Sequence, residues 1–238
     1  MERPLTQVRF RSDVTVELRD HMGTEASIAE TARLSTKGSD AIDSPATKGL
    51  IKALFREGHG TPFESCEFRF YFEIPIFVSR QIVKHRLTSI NEASGRYKQM
   101  EGEFYLPPQG RPMQQVGKTM DYEFVEGSPE MYEAVVRVNQ TMAEAGWQNY
   151  QALLNMGVAK EVARMHLPAT LYSQMSFKCN LRSVLNFITL RYSWGKDAAL
   201  PSHPQYEVAL VADEMVKIVS EMYPTVWEAY VESGYRKL

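Results

Sequence analysis

A chain of 238 residues with 44% apolar side chains is long enough to bury a sizeable core. Its net charge of −2 argues against a general nucleic-acid coat or a membrane-surface protein. No run approaches the ~18 uninterrupted apolar residues of a membrane span. The N-terminal MERPLTQVRF lacks the apolar core of a signal segment. Cys66 and Cys179 lie far apart and without metal-ligand spacing, so they are expected to be ordinary reduced thiols of a cytoplasmic protein. No GxGxxG, P-loop, HExxH or GxSxG is present, which removes the commonest nucleotide and hydrolase signatures.

In chain order, VTVEL at 14–18 alternates as a strand does, and EASIAETARLS at 25–35 has helical character. Ser44-Pro45 caps and opens a second helix that runs to Gly58, with Leu50, Ile51, Leu54 and Phe55 as its apolar face. ESCEFRFYFEI at 64–74 alternates strictly, putting Cys66, Phe68, Phe70, Phe72 and Ile74 on one face. Pro75 opens a helix over PIFVSRQIVKHR, buried through Phe77, Val78, Ile82 and Val83. Its other side would carry Gln81, Lys84 and His85 together. Residues 107–128, with three prolines and three glycines, are expected to be irregular. Ser128-Pro129 starts the longest helix, about 129–156, ended by Gly157. A short helix at 159–166 stops before Pro168, and TLYSQMSFKCN at 170–180 is a strand. Asn180 caps the helix LRSVLNFITLR, whose core side is Leu181, Val184, Leu185 and Ile188. Residues 204–222 form an amphipathic helix. The elements lack a regular βαβ rhythm. The expectation is a single α+β domain over 1–238, with a central, mainly antiparallel, twisted sheet packed by helices.

Four stretches carry chemistry. Between Arg80 and Lys98 there are five cations, Arg80, Lys84, Arg86, Arg96 and Lys98, against one acid, Glu92. A turn containing Ser94 and Gly95 lets backbone N–H groups approach an anion, and Arg96 can grip two phosphate oxygens. By composition alone, a solvated basic loop explains the stretch equally well. In HGTPFES at 59–65, a helix stop followed by a strand start is sufficient. In KCNLRSVLNFITLR at 178–191, Arg182 and Asn186 are i, i+4 neighbours opposite the leucines. Asparagine is a mediocre helix former but suits a ring that both donates and accepts hydrogen bonds. Arg191 sits at the helix C-terminus, where the helix dipole alone favours a cation. Arg164, in EVARMHLP, could be half of a surface ion pair with Glu161.

Together these stretches resemble the flavin-dependent thymidylate synthase family, whose signature has the form R-H-R-x7-S-x-R. Here Lys84 stands in its first place, followed by His85, Arg86, Ser94 and Arg96. TARLS (31–35), HGTPFE (59–64), PIFVSRQ (75–81), EVAR…LP (161–168), the run from Tyr172 to Arg191 and Gln205-x-Glu207 resemble the family's other blocks, in the same order. The resemblance spans roughly residues 25–225. It implies reductive methylation of dUMP to dTMP, with methylenetetrahydrofolate as carbon donor, FAD as hydride carrier and NADPH as reductant. It also implies a homotetramer with sites shared between subunits.

Carried over position by position, the resemblance makes Arg191 catalytic, at the uracil, where it favours loss of the N3 proton. It assigns dUMP to Gln81, Lys84, Glu92, Ala93, Ser94, Gly95, Arg96, Arg164 and Arg191, with the phosphate in the 94–96 turn. It assigns FAD to Ser35, Thr61, Lys84, His85, Arg86, Glu92, Asn180, Arg182 and Asn186, and implies no metal. Neither cysteine invites a covalent role, since hydride delivery to a polarised ring needs no nucleophile. Two departures stand out. Lys84 keeps the charge but loses arginine's planar fork. The span from Arg191 to Gln205 is several residues longer than the family's and suggests an ordered loop. An inactive nucleotide- or flavin-binding protein of the same fold would show degraded motifs, yet Arg96, Asn186 and Arg191 are present. A nucleic-acid binder would need a basic stripe with stacking aromatics, and only Tyr97 adjoins the cations. The enzyme is expected in the cytoplasm, or in the host's if virus-encoded, with no nucleic-acid or membrane partner.

Overall fold

A computed structural model describes residues 8–38, 48–118, 121–194 and 202–238, with only the backbone of Asp121. The chain forms two compact units. The first comprises Met1–Val14, Glu73–Gln81 and Glu92–Met175; the second comprises Thr15–Phe72, Ile82–Asn91 and Ser176–Leu238.

In the first unit, β1 (Arg9–Arg11) pairs in parallel with β5 (Glu103–Tyr105). Helix α4 (Pro129–Asn155) opens with Pro129 in its first turn and Ser128 Oγ accepting from Met131 N–H at 3.3 Å. Its Trp147, Tyr150 and Ala143 pack with Met100, Phe104, Ala163 and Leu171. Helix α5 (Lys160–Ala163) and the 3₁₀ turn Arg164–His166 lie against α4. Their approach depends on Gly146, because a Cβ there would stand 2.7 Å from the His166 carbonyl oxygen. This close packing holds the backbone of Arg164.

A mainly antiparallel four-stranded sheet has the order β2-β3-β8-β4, formed by β2 (Thr15–Met22), β3 (Glu67–Pro75), β4 (Thr88–Glu92) and β8 (Tyr172–Asn180), and most of its residues fall in the second unit. The alternation expected for β3 is realised: Phe68, Phe70 and Phe72 are essentially fully buried, and Phe72 meets Phe177 at 5.3 Å. The helices of this unit are α1 (Glu25–Lys37), α2 (Lys48–Arg56), α6 (Leu181–Arg191), α7 (Tyr206–Met222) and α8 (Pro224–Glu232). Asn180 Oδ1 caps α6 through Ser183 N–H at 2.9 Å. The four apolar residues expected on its core side are all 0% exposed.

Several expectations are corrected. The helix after Pro75, α3 (Ile76–Ile82), stops four residues early. His85 N–H closes a turn onto Ile82 O at 3.0 Å, Val83 is exposed rather than buried, and the chain enters β4 instead. Lys84 and His85 therefore do not share a helix face with Gln81. Residues 61–65 form a 3₁₀ turn, so β3 begins at Glu67 rather than at 64. Within 107–128 the chain forms an antiparallel hairpin, β6 (Pro112–Lys118) and β7 (Asp121–Glu126), because Val116, Tyr122, Phe124 and Val125 favour strands. Strands β1, β4 and β5 and helix α8 were not anticipated. The Ser44-Pro45 helix start and most of the long loop after Arg191 lie outside the described residues.

Candidate active site

In the first unit, a cavity of about 270 Å³ is lined by Ile76, Arg80, Glu92, Ala93, Ser94, Gly95, Arg164 and neighbouring apolar groups. Ile76 and Arg80 are i, i+4 on α3, so one face of that helix supplies an apolar floor and a guanidinium. Ala93 N–H donates to Gln174 O at 2.8 Å, fixing the segment after β4. Ser94 then organises a tight turn: its Oγ accepts from Arg96 N–H at 3.3 Å, and its carbonyl accepts from Tyr97 and Lys98 N–H. Gly95 is buried inside this turn, where a Cβ would stand 2.9 Å from Met100 Sδ and 3.0 Å from Arg164 Cδ. Two guanidiniums, a hydroxyl-bearing turn and one carboxylate thus surround a space suited to a small anion that also carries hydrogen-bond donors. A larger cavity of about 520 Å³ at the base of the hairpin is lined by Glu126, Glu133 and a single cation, Arg111, so it has no excess positive charge.

Of the residues assigned to nucleotide, Glu92, Ala93, Ser94, Gly95 and Arg164 are brought together here. Arg164 is not the partner of Glu161. That carboxylate takes Arg96 Nε–H at 2.8 Å, and Arg96 does not line the cavity. Both members of the pair are about half exposed, so it is worth only about 0–1 kcal/mol and is easily exchanged for another anion. Gln81 does not line the cavity either. Arg80, one residue earlier, does, and sequence reasoning passed over it although it counted among the cations; its i, i+4 relation to Ile76 was the available signal.

In the second unit, α6 carries Arg182, Asn186 and Arg191. Arg191 donates Nε–H to His85 Nε2 at 3.3 Å, and the His85 ring is tilted against Phe187, 4.6 Å between centroids. Burial first, then the charges of Arg191 and Lys237, push His85 down to about 4, so it is neutral at physiological pH. Burial also pulls Arg191 below the usual arginine value, though not out of its charged state. Arg182 lies against Gly60, donates to Glu64 at 2.7 Å, and gives its Nε–H to the Leu238 carbonyl at 3.0 Å. Thr61 is exposed at the start of the same 3₁₀ turn. Ser35 is exposed on α1, its hydroxyl bonded to Ala32 O, and α1, the turn and α6 pack together. Lys84 and Arg86 are exposed beside His85.

The buried Oδ1 of Asn186 has no hydrogen-bond partner among the described residues, an orphaned acceptor that an N–H-bearing ring would satisfy. A flavin fits that demand. Burial raises the thiols of both Cys66 and Cys179, so neither is a thiolate at neutral pH.

These features define an enzyme-like chain: a cavity walled by two guanidiniums in one unit, and in the other a guanidinium bonded to a neutral imidazole and, on the same helix, an unsatisfied amide oxygen. Comparison with known proteins narrows the class. Residues 17–225 match the family described as thymidylate synthase complementing protein. A flavin-dependent thymidylate synthase of Tropheryma whipplei is 38% identical over 94% of this chain and 95% of its own length; one from Streptomyces avermitilis is 39% identical over 94% of each. The UMP/dUMP methylase PolB of Streptomyces cacaoi, solved with 5-Br dUMP, superposes with a TM-score of 0.91 at 38% identity, covering 97% of this chain and 100% of that one. The chain belongs to the flavin-dependent thymidylate synthase family.

The neutral His85 carries a stability signature. Its folded value lies below the unfolded one, so the unfolded chain binds more protons between about pH 6.5 and 4, and stability is lost as pH falls through that window. His85→Phe is expected to flatten this part of the profile. Urea midpoints measured from pH 8 to 4 for both proteins check it, and parallel profiles would refute it.

Proposed function

We propose that this enzyme makes dTMP by reductive methylation of dUMP, with methylenetetrahydrofolate as carbon donor and NADPH as reductant, and that residues 1–238 act as one catalytic domain. The observation that carries the reading is the cavity formed by Arg80, Ser94, Gly95 and Arg164, since Ser94 and Gly95 lie in the motif that resembles the family's signature. Gly95 permits the close approach, and the two guanidiniums hold the phosphate. Arg96 joins them when phosphate replaces the Glu161 carboxylate.

Arg191 acts on the base. Loss of the uracil N3 proton leaves negative charge on the ring, and a guanidinium that is partly desolvated and still charged stabilises it more than one in bulk water would. FAD, when bound, supplies the hydride. Asn186 and Asn180, with His85, Arg86, Arg182, Ser35 and Thr61, are the residues that would hold it; Lys84 contributes charge to either nucleotide. No thiolate is required, consistent with two buried cysteines whose thiols stay protonated.

A homotetramer with shared sites is part of this reading. Val138 and Met142 support it: they lie one turn apart on α4 and are 58% exposed. Sedimentation at fourfold monomer mass is expected, and a monomer would rule the assembly out. Use of NADPH and a nucleoside monophosphate supports a cytoplasmic enzyme, or one in a host's cytoplasm, which fractionation checks.

The purified protein should be yellow, and NADPH oxidation should yield dTMP only with dUMP and methylenetetrahydrofolate present. Colourless protein that takes up no FAD would overturn the flavin assignment. Arg191→Ala is expected to lose about 10²–10³-fold in turnover with FAD still bound, while Cys66→Ala and Cys179→Ala keep activity. Near-normal turnover in Arg191→Ala would remove Arg191 from the mechanism. Arg80→Ala should weaken dUMP binding by about tenfold or more, the loss of one charge-assisted contact; unchanged affinity by calorimetry would exclude Arg80 from the phosphate site.

A further inference from the structure

In the second unit, His85 is fixed from three directions. Its N–H donates to Ile82 O at 3.0 Å, and its carbonyl accepts from Thr88 Oγ1 at 2.7 Å. Its ring is tilted against Phe187, which lies one helical turn before Arg191 on α6. Phe187 and Arg191 are i, i+4, so a single imidazole touches both. The bond to Arg191 requires an unprotonated Nε2, which places the ring proton on Nδ1. Two cations, Arg191 and Lys237, bear on the ring, so a second positive charge there would be opposed by both.

We infer that His85 is a positioning residue of the methylation reaction: its neutral Nε2 takes the Nε–H of Arg191 and sets the plane of the guanidinium that activates the uracil. A neutral acceptor suits this task better than a carboxylate. It restrains a long, rotamer-rich side chain without cancelling the charge that must act on the deprotonated ring. It also engages Nε, the nitrogen next to the aliphatic stem, so the contact governs where the terminal nitrogens point. The family resemblance assigned His85 only to flavin; the contact with Arg191 gives it a second task on the substrate side. The inference rests on the reading of Arg191 as the uracil-activating residue.

The test compares two variants at equal FAD content, set by flavin absorbance, with thermal melts confirming the fold. His85→Phe keeps the ring packing on Phe187 and removes the acceptor; His85→Gln keeps an acceptor. His85→Phe should lower kcat by about 10²-fold, the scale of an ångström misplacement, with KM and calorimetric Kd for dUMP little changed. His85→Gln should recover most of that loss. In an Arg191→Lys background, His85→Phe should add no further loss. If His85→Gln is as poor as His85→Phe, if the two losses add, or if restoring full FAD occupancy restores kcat, the positioning role is wrong. If Arg191→Ala itself turns over normally, the catalytic reading falls first and this inference with it.

Discussion

The chemistry of the second unit depends on how helix α6 is rotated about its axis. Leu181, Val184, Leu185 and Ile188 are completely buried, and each such side chain contributes about 1.5–3 kcal/mol. The ion pair on the helix's polar side, Arg182 with Glu64, is only about one-third exposed and contributes on the order of 1 kcal/mol. The apolar face therefore decides the orientation, and Arg182, Asn186 and Arg191 point where that burial sends them. Asn180 holds the first turn by capping Ser183, so the helix is anchored at the end nearest Arg182 as well as along its length. Phe187 extends the buried side to the turn before Arg191, and there the imidazole of His85 finds both an aromatic surface and a donor.

The first unit solves a different problem, which is to bring two arginines to one small space. Close backbone packing does this. Gly146 admits the 164–168 segment onto α4, and Gly95 admits the side chains of Met100 and Arg164 into the turn after β4. Larger residues at either place would push a guanidinium-bearing segment outward. Among the described residues, cations such as Arg96, Lys178 and Arg182 are engaged in ion pairs, whereas Arg80 and Arg164 enter none. The two cations on the cavity wall are thus separated from those that serve surface pairing. Glu92 is the carboxylate on the same wall.

Much of this was legible in the sequence where a strong period or a cap spoke for itself. The Phe68–Phe72 alternation, the Asn180 cap, the leucine face of α6 and the long helix after Ser128-Pro129 appear as expected. The cluster Glu92–Gly95 with Arg164 was reachable only through the ordered resemblance, since the two lie about 70 residues apart and composition left a solvated loop equally open. What failed was local propensity overruled by packing. The pattern after Pro75 continues helically through Val83, but burial of His85 against Phe187 turns the chain into β4. The proline- and glycine-rich stretch 107–128 concealed a hairpin, because its strand formers are spread among turn residues. Glu161 was matched to Arg164 by spacing, whereas the structure pairs it with Arg96, 65 residues away in the chain.

The early end of α3 also changes what the lysine at position 84 means. Were Lys84 on the helix face with Gln81, replacing arginine there would remove a fork from a wall built to hold an anion. Instead it lies in an exposed turn beyond the helix, where a side chain is poorly restrained and acts as charge more than as shape. The planar forks that line the cavity come from Arg80, held by α3, and Arg164, held by packing on α4. The lysine in the signature's first place thus falls outside the residues that line the cavity.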